Sequence, residues 1–122
     1  MNNLPVCQTL LLELHNGVLH VTLNRPESRN AMSVQMVTEL RSVLASVRDK
    51  PGVRALVIGG VGGHFCAGGD IKDMANARTQ GPNAHRDLNR VFGALLQEVQ
   101  HAPQVVITIL QGAVLGGGFG LA

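Results

Sequence analysis

Residues Val53–Met74 read VRALVIGGVGGHFCAGGDIKDM, and the reading of this stretch decides the fold. Val53, Ala55, Leu56, Val57 and Ile58 form a short apolar run with β-branched members. Its length predicts a strand over Val53–Ile58 that is covered on both faces. Gly59, Gly60, Gly62, Gly63, Gly68 and Gly69 follow, a density expected where backbone takes positive φ or comes close to another group. Asp70-Ile71-Lys72-Asp73-Met74 then opens a helix, with acids in its first turn as the helix dipole favours. A strand, a run of bare amides and a helix start together make a place to bind a negative or partly negative oxygen.

Two phosphate cradles are excluded by spacing. Gly63-x4-Gly68 is followed by Gly69 and Asp70, where an NTPase loop needs Lys and Ser/Thr. Gly60-Val61-Gly62 is followed three places on by Phe65, where the dinucleotide fingerprint needs glycine. On spacing alone a flexible glycine-rich connection stays open as the alternative.

Outward from this stretch the chain reads as alternating elements. Thr9–Leu14 and Val18–Leu23 are apolar alternating runs joined at His15-Asn16-Gly17, a hairpin signal. Asn24–Asn30 is a polar loop with a proline and two arginines. Ser33 caps a helix to about Arg48, with Met36, Val37, Leu40, Val43, Leu44 and Val47 on one face. Asn76–Asn83 reads as a polar loop containing Gly81-Pro82. Leu88, Val91, Phe92, Leu95, Leu96 and Val99 mark a second amphipathic helix, closed at Ala102-Pro103. Val105–Leu110 reads as a buried strand and leads into a second glycine turn, Gly112–Phe119. Strands alternating with helices predict an α/β fold with a parallel sheet. Two glycine turns side by side would point two backbone N–H groups at one oxygen, the geometry of an oxyanion hole.

Totals bound the rest. A chain of 122 residues, 45% hydrophobic, makes one domain with a core. A net charge of +2, with no Trp or Tyr to stack on bases, argues against a nucleic-acid partner. No apolar run approaches the ~18 residues of a membrane span. The N-terminus lacks a basic segment before its apolar patch, which Glu13 interrupts, so no signal peptide is expected. Cys7 and Cys66 match no zinc or redox spacing, and no metal is expected; a reduced, cytoplasmic setting is the default.

Three segments in order, LNRPESRNAMS, HFCAGGDIKDM and QGAVLGGGFGLA, resemble the crotonase superfamily of enoyl-CoA hydratases and isomerases. The resemblance runs from about Thr9 to Ala122. It implies a crotonase-like spiral of ββα units, of which residues 1–122 form the N-terminal portion. It also implies trimers or dimers of trimers and an acyl-CoA substrate, with no cofactor beyond the coenzyme A carried as thioester. By position it assigns the oxyanion N–H groups to Gly69 and Gly117. It assigns coenzyme A contacts to Ser28, Arg29, Ala31, Ala67, Gly69, Asp70, Ile71, Lys72 and Gly117. Arg25, Arg29 and Lys72 are the cations expected near its phosphates, and Asp73 and Met74 lie on the helix that lines the acyl pocket in the family.

One departure matters. Hydratases of the family carry a glutamate after the second glycine run, where this chain has Gly120, and a glycine transfers no proton. The family's other carboxylate lies further along than Ala122. The expectation is therefore the N-terminal half of a longer protein, inactive by itself, or else a non-catalytic binding module. A narrower resemblance, carried by HFCAGGDIKDM and GAVLGGGFGLA, is to bacterial hydratases of branched glutaconyl-CoA substrates such as isohexenylglutaconyl-CoA.

Overall fold

A computed structural model describes residues 4–112, 114 and 121; Gly117 and Gly120 lie outside the described residues. Strands β1 (Leu10–His15) and β2 (Val18–Leu23) form an antiparallel hairpin, with Leu10 opposite Leu23 and His15 opposite Val18. Asn16 and Gly17 both take positive φ, 51° and 80°, as a two-residue turn of the primed type demands. The turn docks on the approach to the third strand: Arg54 N donates to Gly17 O at 2.8 Å, and Arg54 Nη2 donates to Asn16 O at 2.8 Å.

Helix α1 (Val34–Val47) follows, and the Ser33 side chain accepts the Met36 N–H at its start. Strand β3 (Ala55–Gly60) comes next, then helices α2 (Ile71–Gln80) and α3 (Pro82–Gln100) and strand β4 (Val105–Thr108). The sheet order is β1-β2-β3-β4, with β2–β3 and β3–β4 parallel and each pair joined through helices. One sheet face packs against α1. Leu19, Val21, Leu23, Leu56 and Ile58 from the strands meet Met36, Leu40, Val43 and Val47 from the helix in one buried cluster.

The hairpin, α1 and the parallel pairing of the later strands match the sequence reading, including every apolar residue expected on the buried face of α1. Five details differ. The polar loop Asn24–Asn30 contains a 3-10 turn, Pro26–Ser28. Strand β3 runs on through Gly59 and Gly60, so these two glycines belong to the strand; a Cβ on Gly60 would collide with His64 O and lie 2.6 Å from Asn30 Nδ2. Its burial alternates, one face buried and the other half-buried, because α1 covers one face only.

The expected loop Asn76–Asn83 is almost all helix. Only Gly81, with φ 101°, separates α2 from α3, and Pro82 takes the first turn of α3, where its missing N–H costs nothing. Last, β4 is not buried: Val105 and Ile107 are 64% and 50% exposed, because it forms the last strand of the sheet described and the face away from the helices is open.

Candidate active site

The loop 24–32 and the glycine turn 61–70 are sewn together. Asn30, fully buried with φ 58°, lies at the centre. Its Oδ1 accepts the Arg25 N–H at 2.7 Å, and its Nδ2 donates to Val61 O at 2.9 Å and His64 O at 2.8 Å. Asparagine tolerates the left-handed conformation better than other side chains, and a buried amide with its donors and acceptor matched costs little. Ala67 N donates to Arg29 O at 3.1 Å. Met32 pairs with Gly69 in a parallel bridge: Met32 N donates to Gly68 O at 2.6 Å, and Asp70 N donates to Met32 O at 3.0 Å.

That bridge decides which way Gly69 points. Both bonds use the N–H groups of Met32 and Asp70, leaving the Gly69 N–H on the opposite side of the chain with no acceptor among the described residues. Gly69 lies where two clefts meet. One, of about 640 Å³, carries the charged side chains of Arg25, Glu27, Arg29 and Asp70 among Ser28, Ala31, Ala67 and Gly69. The other, of about 210 Å³, is mostly apolar, with Met32, Val37, Met74, Leu88 and Phe92 around Gly69. A Cβ on Gly69 would meet Met74 Sδ at 3.4 Å, an ordinary contact.

Gly112 and Val114, the described residues of the second glycine stretch, meet the first turn. Cys66 and Val114 form a parallel bridge, and Phe65 N donates to Gln111 O at 2.8 Å. Gly112, at φ 54°, sits where a Cβ would strike Gly63 O and lie 2.5 Å from His64 Nδ1, so close packing of the two turns requires glycine there. Gly117 itself lies outside the described residues.

Ser28, Arg29, Ala31, Ala67, Gly69 and Asp70 thus share one cleft, while Ile71 and Lys72 begin α2 and their side chains are not described. The Arg29 guanidinium has no partner among the described residues. Arg25 is different: Nη1 donates to Ala31 O at 2.6 Å and Nη2 to Asp70 Oδ2 at 2.8 Å. Two of its five N–H donors are engaged within the protein, and it lines the cleft beside Arg29. Asp70, 8% exposed, accepts from Arg25 and, through Oδ1, from Asp73 N at 3.1 Å, the helix-start role expected of it. Asp73 Oδ2 accepts the Val34 N–H at 2.8 Å.

Cys66 is buried, and burial pushes its thiol up from the ordinary value, more than the hydrogen bonds from Gly68 and Met32 lower it. A protonated, enclosed thiol is a poor nucleophile. The residues missed from sequence were Asn30 in its bridging role and Met32 as the pairing partner of Gly69. No local sequence pattern marks either role, since the carbonyls that Asn30 reaches and the bridge partner of Met32 lie more than thirty residues away.

Comparison with known proteins gives the family. The enoyl-CoA hydratase/isomerase family model matches residues 13–122. The chain belongs to the enoyl-CoA hydratase/isomerase family, the crotonase superfamily, and has the fold of its N-terminal part. It is 67% identical to Pseudomonas aeruginosa AtuE, with a TM-score of 0.92 over 93% of this chain and 44% of that one. An enoyl-CoA hydratase/isomerase from Marinobacter aquaeolei is 51% identical, with a TM-score of 0.91 over 94% of this chain and 46% of that one. A probable enoyl-CoA hydratase of Rhodobacter capsulatus is 35% identical over 114 residues, 93% of this chain and 42% of the relative. The chain therefore spans less than half the length of these relatives. Among the described residues, no helix is long and apolar enough to cross a membrane.

Proposed function

We propose that this chain binds acyl-CoA thioesters and polarises the thioester carbonyl with the Gly69 N–H. The observation that carries this reading is the Gly69 amide, without an acceptor among the described residues, at the meeting point of a charged and an apolar cleft. The charged cleft suits the coenzyme A arm, with Arg29 as its free cation toward a phosphate. The apolar cleft suits the acyl chain, with Met74 against its first carbons. A backbone donor aimed at the carbonyl oxygen stabilises the enolate-like anion as it forms, and removing one such donor costs about 3–4 kcal/mol of transition-state energy. The second donor is proposed at Gly117, from the turn that Cys66–Val114 pairing draws alongside.

Proton transfer needs a further group. Asp70 and Asp73 both hold backbone amides, and Asp70 also pairs with Arg25, so neither is placed to shuttle a proton. With Gly120 in place of the family's first glutamate, the 122-residue chain binds without turnover. In a longer protein a carboxylate beyond Ala122 completes a hydratase or isomerase of enoyl-CoA, with branched acyl chains as the candidate substrates. The same commitment of both aspartates favours the second reading, a non-catalytic binding module. The longer form is proposed to work in reducing, cytoplasmic surroundings as a homotrimer or dimer of trimers.

The test is the carbonyl stretch of crotonyl-CoA, carrying ¹³C at the thioester carbon, bound to the 122-residue chain. A shift to lower frequency on binding, without hydration or isomerisation, is the expected result. Binding without a band shift would remove the oxyanion role. Turnover by this chain would overturn the need for a further carboxylate.

A further inference from the structure

The Gly69 amide is useful only if it points one way, and two side chains outside the reacting centre hold it. Met32 and Gly69 form the bridge, and their neighbours Ala31 and Asp70 are joined by one guanidinium: Arg25 reaches Ala31 O at 2.6 Å and Asp70 Oδ2 at 2.8 Å. The planar fork of arginine serves two acceptors on opposite walls at once, which the point charge of an ammonium does not. At the other end of the turn, Asn30 gathers Val61 O and His64 O on one amide and takes Arg25 N on its oxygen. Arg25 and Asn30 are therefore linked to each other as well as to both ends of the turn. Both are enclosed, Asn30 fully and the Arg25 side chain at 20% exposure, so water competes weakly for these bonds.

We infer that Arg25 and Asn30 are positioning residues for the Gly69 N–H, clamping the exit and the entrance of the glycine turn so that this donor keeps a fixed direction. The inference rests on the oxyanion reading above for its purpose, but the clamp itself is a property of the unliganded chain. It separates two tasks that share one cleft: Arg29 contributes affinity for the coenzyme A arm, and Arg25 contributes carbonyl polarisation without touching the ligand.

The experiment compares Arg25→Gln, Arg25→Lys, Asn30→Asp and Arg29→Gln in the 122-residue chain. The unliganded readout is the ¹⁵N–¹H resonance and hydrogen-exchange rate of Gly69; the liganded readout is the carbonyl band of the labelled crotonyl-CoA, with affinity measured separately using coenzyme A. Arg25→Gln is expected to move the Gly69 resonance, speed its exchange and lose most of the band shift while keeping coenzyme A affinity. Arg25→Lys is expected to restore part of the shift, and Arg29→Gln to weaken affinity with the band unchanged. A merely structural role would lower thermal stability and leave the Gly69 resonance and the band in place, and that result would overturn the inference. If Asn30→Asp fails to fold, Arg25→Lys and Arg25→Gln still decide it. If the unaltered chain shows no band shift, the oxyanion reading fails, and the unliganded Gly69 resonance still decides whether the clamp exists.

Discussion

Helices α1 and α3 carry the same kind of apolar repeat and end at different depths. In α1 all of Met36, Val37, Leu40, Val43, Leu44 and Val47 are buried. In α3 only Leu95 of the corresponding set is buried, and Leu88, Val91, Phe92, Leu96 and Val99 are half-covered. The difference lies in what each helix packs on. Helix α1 lies against the sheet, while α3 rests on α1 and α2, with the cleft at Gly69 opening beside Leu88 and Phe92. A 3.6-residue repeat fixes which face turns inward, and the neighbours fix how far it is covered. Strands repeat the lesson: Leu19 and Leu56 are buried mid-sheet, whereas Val105 and Ile107, equally apolar, are half-exposed or more on β4.

The strongest challenge to this contrast is a pair of truncations. Leu40→Ala in α1 is expected to cost about 2–5 kcal/mol by urea denaturation, as fully buried leucines do. Val91→Ala in α3 is expected to cost about 1 kcal/mol or less, since it is only partly enclosed. Equal costs would mean that α3 is as well covered as α1. Gly60→Ala comes next, because the added methyl strikes His64 O beside the Asn30 amide. Overpacking of this kind costs about 1–3 kcal/mol, and an unchanged melting temperature would show that the turn is looser than described.

Glu39 sharpens the comparison by pH. It anchors the start of the chain on α1, accepting from Gln8 N at 2.9 Å, Thr9 N at 2.8 Å and Thr9 Oγ1 at 2.6 Å. Burial alone would raise its carboxyl, but these bonds and that of Gln35 outweigh burial and hold it below the ordinary value. A lowered folded pKa makes the stabilisation complete above the ordinary carboxylate value and removes it as pH falls through the folded one. Glu39→Gln should lose about 1 kcal/mol at neutral pH and flatten the acid limb of the stability profile; an unchanged limb would assign acid sensitivity elsewhere. The smallest effect on stability is expected at Ile107→Lys on the open face of β4, within about 0.5 kcal/mol. Self-association should fall in the same variant, as followed by sedimentation, because an exposed apolar strand promotes it. Undiminished association would place the contact on another surface.

Much of the fold was legible because short-range signals carried it. Asn16-Gly17 demanded a primed turn, Ser33 capped a helix, and the α1 repeat named its buried face residue by residue. Helix α2 was partly hidden because its polar composition looks like a loop; it runs to Gln80, and Gly81 separates it from Pro82 at the start of α3. The candidate site was half legible: Gly69, Arg29 and Asp70 stood in a recognisable motif, whereas Asn30 looked like one more polar loop residue. Its role depends on carbonyls at positions 61 and 64, more than thirty residues away, and no local pattern encodes that meeting.

Sequence alone specified the hairpin, the parallel α/β pattern, the inward face of α1 and the family. Only the meeting of distant segments set Arg25 between Ala31 and Asp70, left β4 open, and put the Gly69 N–H beside two clefts with no acceptor among the described residues. The physical reason is one of range. Turns, caps and periodicity act within a few residues, while burial and hydrogen-bond partnership are settled only when distant segments meet.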